Sequence, residues 1–286
     1  MKWKRLMKII FIVGILLFAW FLFAQWGMRF RINDRDARKK FLVDGVELFT
    51  GTVNVNNFFI HYAKTGNDSL PTILFIHGSP GSWIAYEKFM KDKDLLAKFR
   101  MIAVDRPGFG YSEFGKAKNL KEQSQLISPL LSIFKNNKPL YIAGHSLGGP
   151  VEVQLVADNP RSFAGMVLLS AAVDPDEERP ESWRPWLNIK PLSLFVPGAF
   201  LPSNKELWFL KGDLFQLQND FYKITCPVWI IHGDKDVLVP VGNAEFAKKM
   251  LVNAKSVDVK ILHRANHFIP ALRYNEIKQV LLQLHE

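Results

Sequence analysis

Cysteine is all but missing from this 286-residue chain. Cys226 stands alone, which excludes an intrachain disulfide and leaves the redox compartment unread from bridges. It directly precedes Pro227 at the start of an apolar run, the setting of a small core residue, with no elbow or helix N-terminus to activate a thiol. Paired cysteines and an H-E-x-x-H run are also lacking, so no metal site is expected. Neither a P-loop nor a G-x-G-x-x-G fingerprint occurs, and no cofactor is expected. Internal repeats and low-complexity tracts are absent as well.

Acidic side chains are scarce at the N-terminus. Residues 1–40 carry ten basic side chains against Asp34 and Asp36, a net of +8 out of +10 for the whole chain. That leaves +2 for residues 41–286, too little for the electrostatic footprint of a polyanion-binding protein, so no nucleic-acid partner is expected. Basic clusters flanking an apolar run suit an anionic membrane surface instead.

The apolar run is Ile9 to Met28, in which Gln25 is the one strongly polar side chain. As a helix it spans roughly the 30 Å of a hydrocarbon core. Trp3, Trp20 and Trp26 include two placed to sit near an interface. Residues 1–28 therefore read as a basic tail and a transmembrane anchor. A cleaved secretory signal needs a shorter apolar stretch and small residues before the cut, and no such site is found. Four Lys/Arg precede the span and six follow it, so the positive-inside rule does not set its direction. Short basic N-terminal tails are usually retained inside, which favours an extracytoplasmic position for the remainder.

Residues 29–42 read as a charged linker, and 43–286 as one large domain. The chain is 48% hydrophobic with 23 Phe and 8 Trp, enough for a substantial core. Segments 46–54 and 58–64 alternate on either side of Asn56-Asn57, the pattern of an antiparallel hairpin. Continuous apolar runs follow at 72–76, 100–104, 139–143, 165–171 and 227–232, as expected of strands covered on both faces. Helix-compatible stretches separate them at 83–97, 120–136, 147–158 and 242–251, with a last strand at 256–262 and helix at 274–285. This alternation predicts a doubly wound, mostly parallel α/β sheet. It breaks at 174–224, an irregular insertion rich in Trp and Phe that reads as a lid over one end of the sheet.

Gly144-His145-Ser146-Leu147-Gly148 lies between a predicted strand and a predicted helix. A serine raised on a sharp strand-to-helix turn needs small neighbours two residues to either side, because side chains there would collide with the adjoining backbone. The two glycines meet that need, and Ser146 is the predicted nucleophile. His145 is expected to be structural, its side chain diverging from that of Ser146.

With this elbow, His77-Gly78-Ser79-Pro80-Gly81 and Asp105-Arg106-Pro107-Gly108-Phe109-Gly110-Tyr111-Ser112, the chain from about residue 46 onward resembles the α/β-hydrolase family, in its serine esterase and lipase branch. The resemblance implies an oxyanion hole from the backbone N–H groups of Ser79 and Leu147; Pro80 has no N–H to offer. It implies His267 as the base, on the loop after the last strand, with nearby His263 in reserve. It implies Asp236, in Gly233-Asp234-Lys235-Asp236, as the orienting acid, with Asp174 as an alternative. Ser146, Asp236 and His267 follow the chain order of that fold. His61, His77, His232 and His285 have no comparable placement, and Asp105 and Arg106 are expected to be structural.

A serine at the elbow, where relatives that open epoxides carry a carboxylate, implies acyl transfer and predicts activity that falls on acidification as the imidazole protonates. A small-molecule carboxylic ester, of an apolar or lipid acyl group, is the expected substrate. The membrane is the other expected partner, and no obligate protein partner is evident. Acyl transfer to an alcohol or peroxide, carbon–carbon bond hydrolysis and an inactive ligand-binding protein are the competing readings.

Overall fold

The computed structural model describes residues 2–284; His285 lies outside them. Helix α1 (Lys2–Trp26) includes a 24-residue segment, Trp3–Trp26, long and apolar enough to cross a membrane. Its C-terminal end meets the domain through backbone-directed bonds. Trp20 Nε1 donates to the Phe195 carbonyl (3.0 Å) and Gln25 Nε2 to that of Leu194 (2.9 Å). The Ala199 N–H donates to the Met28 carbonyl at 2.7 Å.

The charged segment 29–42, expected as a linker, is helical over most of its length. Asp34–Val43 form helix α2, started by Asn33, whose side chain accepts the Asp36 N–H. The dense charge conceals two apolar residues one turn apart, Ala37 and Phe41. Both are buried in the domain, the Phe41 ring 5.9 Å from that of Trp83.

Eight strands make one sheet in the order β1-β2-β4-β3-β5-β6-β7-β8. They are β1 (Phe49–Val55), β2 (Phe58–Thr65), β3 (Thr72–Ile76), β4 (Arg100–Val104), β5 (Leu140–His145), β6 (Gly165–Leu169), β7 (Val228–Gly233) and β8 (Val257–Leu262). β1 and β2 form the predicted hairpin, with Asn56 and Asn57 both at positive φ, and β2 also runs antiparallel to β4. All remaining pairings are parallel. The apolar strands feed two cores at once. Leu74, Ile76, Ile102 and Ile142 face one layer, and Ile73, Phe75, Met101 and Ala143 the other.

Helices α5 (Leu120–Phe134), α6 (Gly148–Asp158), α8 (Gly242–Met250) and α10 (Tyr274–Gln283) lie close to their expected ranges. The stretch 83–97 is instead divided into a 3-10 turn at 83–86, α3 (Glu87–Met90) and α4 (Lys93–Lys98). Asp92 forces the break by accepting the N–H groups of Asp94 and Leu95 and so starting a new helix. Between β6 and β7 come short 3-10 turns and the long helix α7 (Phe200–Leu217). α9 (Ile269–Leu272) follows the loop after β8.

The parallel register puts the loops that follow β3, β5, β6, β7 and β8 at one end of the sheet, the carboxyl ends of the strands, where open α/β sheets bind ligands. Ile76 is level with Gly144, His145 with Leu169, and Gly233 with Leu262.

Candidate active site

β5 ends at His145 and α6 begins at Gly148, so Ser146 sits on the turn between them. Its φ of 55° lies in the left-handed region, a strained position for a residue with a Cβ. Surrounding bonds hold it there: the Ser146 N–H donates to the Leu169 carbonyl (3.0 Å), and the Gly149 N–H to the Ser146 carbonyl (2.9 Å). Glycine is required on both sides. A Cβ at position 148 would lie 2.2 Å from the Ile76 carbonyl oxygen, and one at 144 would lie 2.5 Å from that of Gly148.

Asp236 follows β7 and His267 follows β8, and the two meet. His267 Nδ1 is 2.7 Å from Asp236 Oδ2. The other carboxylate oxygen accepts the N–H groups of Leu238 (3.0 Å) and Val239 (2.8 Å). Burial pushes this carboxyl up, but the bonds from His267 and Val239 and the neighbouring imidazoles outweigh it and hold Asp236 below its ordinary value. A carboxylate that accepts at Nδ1 leaves Nε2 as the ring's working nitrogen. Ser146 and His267 line one cavity of roughly 1080 Å³. No hydrogen bond joins the two side chains, as is common before substrate arrives.

Ser79 and Leu147 line the same cavity. Among the described residues neither backbone N–H has a protein acceptor, so both are available to a ligand. Gly78 allows the close approach of the two loops, since a Cβ there would lie 3.0 Å from that of Ser146. A second cavity of roughly 730 Å³ adjoins the first, with Ser79, Pro80 and Phe200 among the shared lining, and Trp20 of the apolar helix and Met28 just after it also line it.

The sequence of residues 71–194 matches the model of the α/β-hydrolase fold. A solved structure of a membrane phospholipase A, described as a bacterial virulence factor, superposes with a TM-score of 0.65 at 21% identity, covering 100% of this chain and 99% of that one. The chain has the α/β-hydrolase fold. Among curated proteins, the chain is 25% identical over 240 residues to a pimeloyl-acyl-carrier-protein methyl ester esterase of Nitrosomonas europaea, covering 69% of this chain and 89% of the relative. It is 26% identical over 209 residues to a lysophosphatidylserine lipase of Danio rerio, covering 69% of this chain but only 51% of the relative.

The reserve residues are occupied elsewhere. His263 is exposed and pairs with Asp234 at 2.9 Å, while the Asp174 carboxylate accepts the Asp176 N–H. Cys226 is buried, and burial pushes its thiol up to about 11.

Three histidines prove to brace the loops, His145 structural as expected and His77 and His232 without an expected role. His145 Nε2 donates to the His267 carbonyl (2.9 Å); burial and the nearby His267 hold its ring down to about 4, so it stays neutral. His232 Nε2 donates to the Val239 carbonyl (2.9 Å) and steadies the Asp236 loop. His77 lies beneath the Ser79 loop, its Nε2 accepting the Arg106 N–H at 2.9 Å. No spacing in the sequence marks these partners, because each binds a backbone atom, which any residue supplies. Asp105 is structural as expected, its carboxylate accepting the N–H groups of Trp83 and Tyr111 and pairing with His61.

Glu152 lies on α6 beneath the elbow, fully buried, with neither carboxyl oxygen hydrogen-bonded among the described residues. Burial raises its carboxyl well above the ordinary value. Between the unfolded and folded values the unfolded chain binds fewer protons, so this group's contribution to stability is complete below the unfolded value and is lost as pH rises. Glu152→Gln is therefore expected to melt with the wild type near pH 4 and above it at neutral pH. The gap should open by up to about 1.4 kcal/mol per pH unit, with about 2–4 °C in Tm for each kcal/mol. A Tm difference that stays flat across thermal scans from pH 4 to 8 would contradict this.

Proposed function

We propose that this chain is a membrane-anchored serine hydrolase that cleaves carboxylic esters of apolar acyl chains. Ser146 is the nucleophile, His267 the base, Asp236 its orienting acid, and the N–H groups of Ser79 and Leu147 the oxyanion hole. The observation that carries this reading is the 2.7 Å contact between Asp236 and His267, whose ring shares a cavity with a serine held at positive φ.

In the forward half-reaction Ser146 Oγ attacks the ester carbonyl and its proton passes to His267 Nε2. The carbonyl electron pair becomes the oxyanion that the two N–H groups receive. Collapse of the tetrahedral intermediate breaks the C–O bond, and the alcohol departs with the proton from His267. Water then repeats the sequence on the acyl-enzyme, losing its proton to His267, and releases the acid and Ser146.

Two features support an apolar acyl group. The second cavity extends the catalytic one with mostly apolar walls, and Trp20 of the membrane-length helix forms part of that wall. An acyl chain lodged there lies against the bilayer anchor, which favours a lipid ester drawn from the membrane.

The test uses the full-length protein in detergent. A fluorophosphonate probe is expected to label it, and turnover of p-nitrophenyl esters should rise with chain length to a maximum at or beyond about eight carbons, as each buried CH₂ adds about 0.8 kcal/mol. Absence of both labelling and turnover would dispose of the hydrolase reading. A preference for acetate would leave the triad standing and remove the apolar-chain assignment.

A further inference from the structure

Arg106 takes no part in the chemistry above, yet it is fully buried and all five of its guanidinium N–H groups are engaged. Nε donates to the His77 carbonyl (2.7 Å). Nη1 donates to Gln123 Oε1 (2.9 Å) and Glu206 Oε2 (2.8 Å). Nη2 donates to the Gly78 carbonyl (3.1 Å) and Glu206 Oε1 (2.9 Å). The Glu206 carboxylate, only 2% exposed, comes from α7, the helix of the insertion. A bidentate fork of this kind fixes the plane of the guanidinium as well as its position.

What that plane holds matters. The Gly78 carbonyl belongs to the same flat peptide unit as the Ser79 N–H, and in a trans unit the two point in opposite directions. Holding the carbonyl therefore aims the N–H. Two donors hold it: Arg106 Nη2, and His77 Nδ1 at 2.7 Å, which carries the ring proton because Nε2 accepts the Arg106 N–H. A second tie between this loop and α7, from Ser79 Oγ to Ser203 Oγ (2.8 Å), restrains a side chain and leaves the peptide plane free to turn.

We propose that Glu206 is a positioning residue for the oxyanion hole: by clamping Arg106 it locks the Gly78–Ser79 peptide so that the Ser79 N–H meets the developing oxyanion. The role rests on the hydrolase reading and adds to it that the insertion helix completes the catalytic loop. Without the carboxylate, Arg106 becomes a buried cation lacking its counter-ion, and it leaves the Gly78 carbonyl to find other acceptors.

The test compares full-length wild type, Glu206→Gln and Ser203→Ala on a p-nitrophenyl ester and on its thionoester, whose sulfur accepts N–H bonds poorly. Loss of one oxyanion donor lowers kcat by about 10²–10³, so a misaimed one in Glu206→Gln should lower it by about 10–100-fold, with KM within about threefold. The preference for the oxoester over the thionoester should shrink by a similar factor. Ser203→Ala should keep both kcat and that preference within about twofold of wild type. If Glu206→Gln folds poorly, Glu206→Asp gives the same readout, because it keeps the charge while withdrawing it by one methylene. A fall in kcat with the oxoester preference intact makes Glu206 merely structural and overturns the proposal alone. A wild type that neither turns over either ester nor takes the fluorophosphonate overturns the hydrolase reading and this role with it.

Discussion

Ser146→Ala is expected to lower ester turnover by about four to six orders of magnitude and to abolish fluorophosphonate labelling, while the protein melts within about 1 °C of wild type. The size of the effect follows from covalent chemistry. With the hydroxyl gone no acyl-enzyme can form, and the rate that remains comes from binding and from the two N–H groups acting on a water molecule. The unchanged stability follows from the surroundings. Ser146 Oγ has no hydrogen-bond partner to strand, and alanine keeps the Cβ against which Gly78 packs. Retention of more than about 1% of turnover would point to a different nucleophile. A large fall in Tm would mean that the variant had lost its fold and not its chemistry.

Asp236→Asn is expected to lower kcat by about three to four orders of magnitude, through the position of a single proton. The carboxylate now receives three N–H donors, from Leu238, Val239 and His267. An amide has one oxygen, and the two backbone donors cannot be removed, so that oxygen turns to them. The NH₂ group then faces His267 Nδ1, which must become an acceptor and send the ring proton to Nε2. An imidazole with its proton there cannot take one from Ser146. Steady-state rates and labelling rates at pH 8 check this, with intact folding confirmed by thermal melting. A loss of less than about tenfold would show that another carboxylate orients the base.

The sheet was legible because its strands are covered on both faces: uninterrupted runs such as Ile73–Ile76 supply both cores through simple alternation. The elbow was legible because its geometry permits only glycine at 144 and 148, so the physical constraint is written in the sequence. Helix α2 was hidden because only Ala37 and Phe41 reveal its buried stripe amid charge. The break in 83–97 turned on one capping carboxylate, Asp92, within an otherwise helical pattern. Contacts across the fold were least accessible. Arg106 and Glu206 are 100 positions apart, and the latter comes from the stretch where the strand–helix alternation fails. The supports of His267 and Asp236 are likewise backbone carbonyls reached by His145 and His232, and no periodicity records such partners.

The N-terminal helix, proposed above as the anchor, also builds part of the domain. Trp20 and Met28 form part of a chamber wall, and bonds to the backbone at Leu194, Phe195 and Ala199 stitch the helix to the rim of that chamber. A fragment starting after residue 28 would keep every reacting group yet stand open along one flank. Swapping in a foreign span of equal length would restore residence at the bilayer without rebuilding that flank. On the proposed reading, then, address and architecture are encoded by the same two dozen residues.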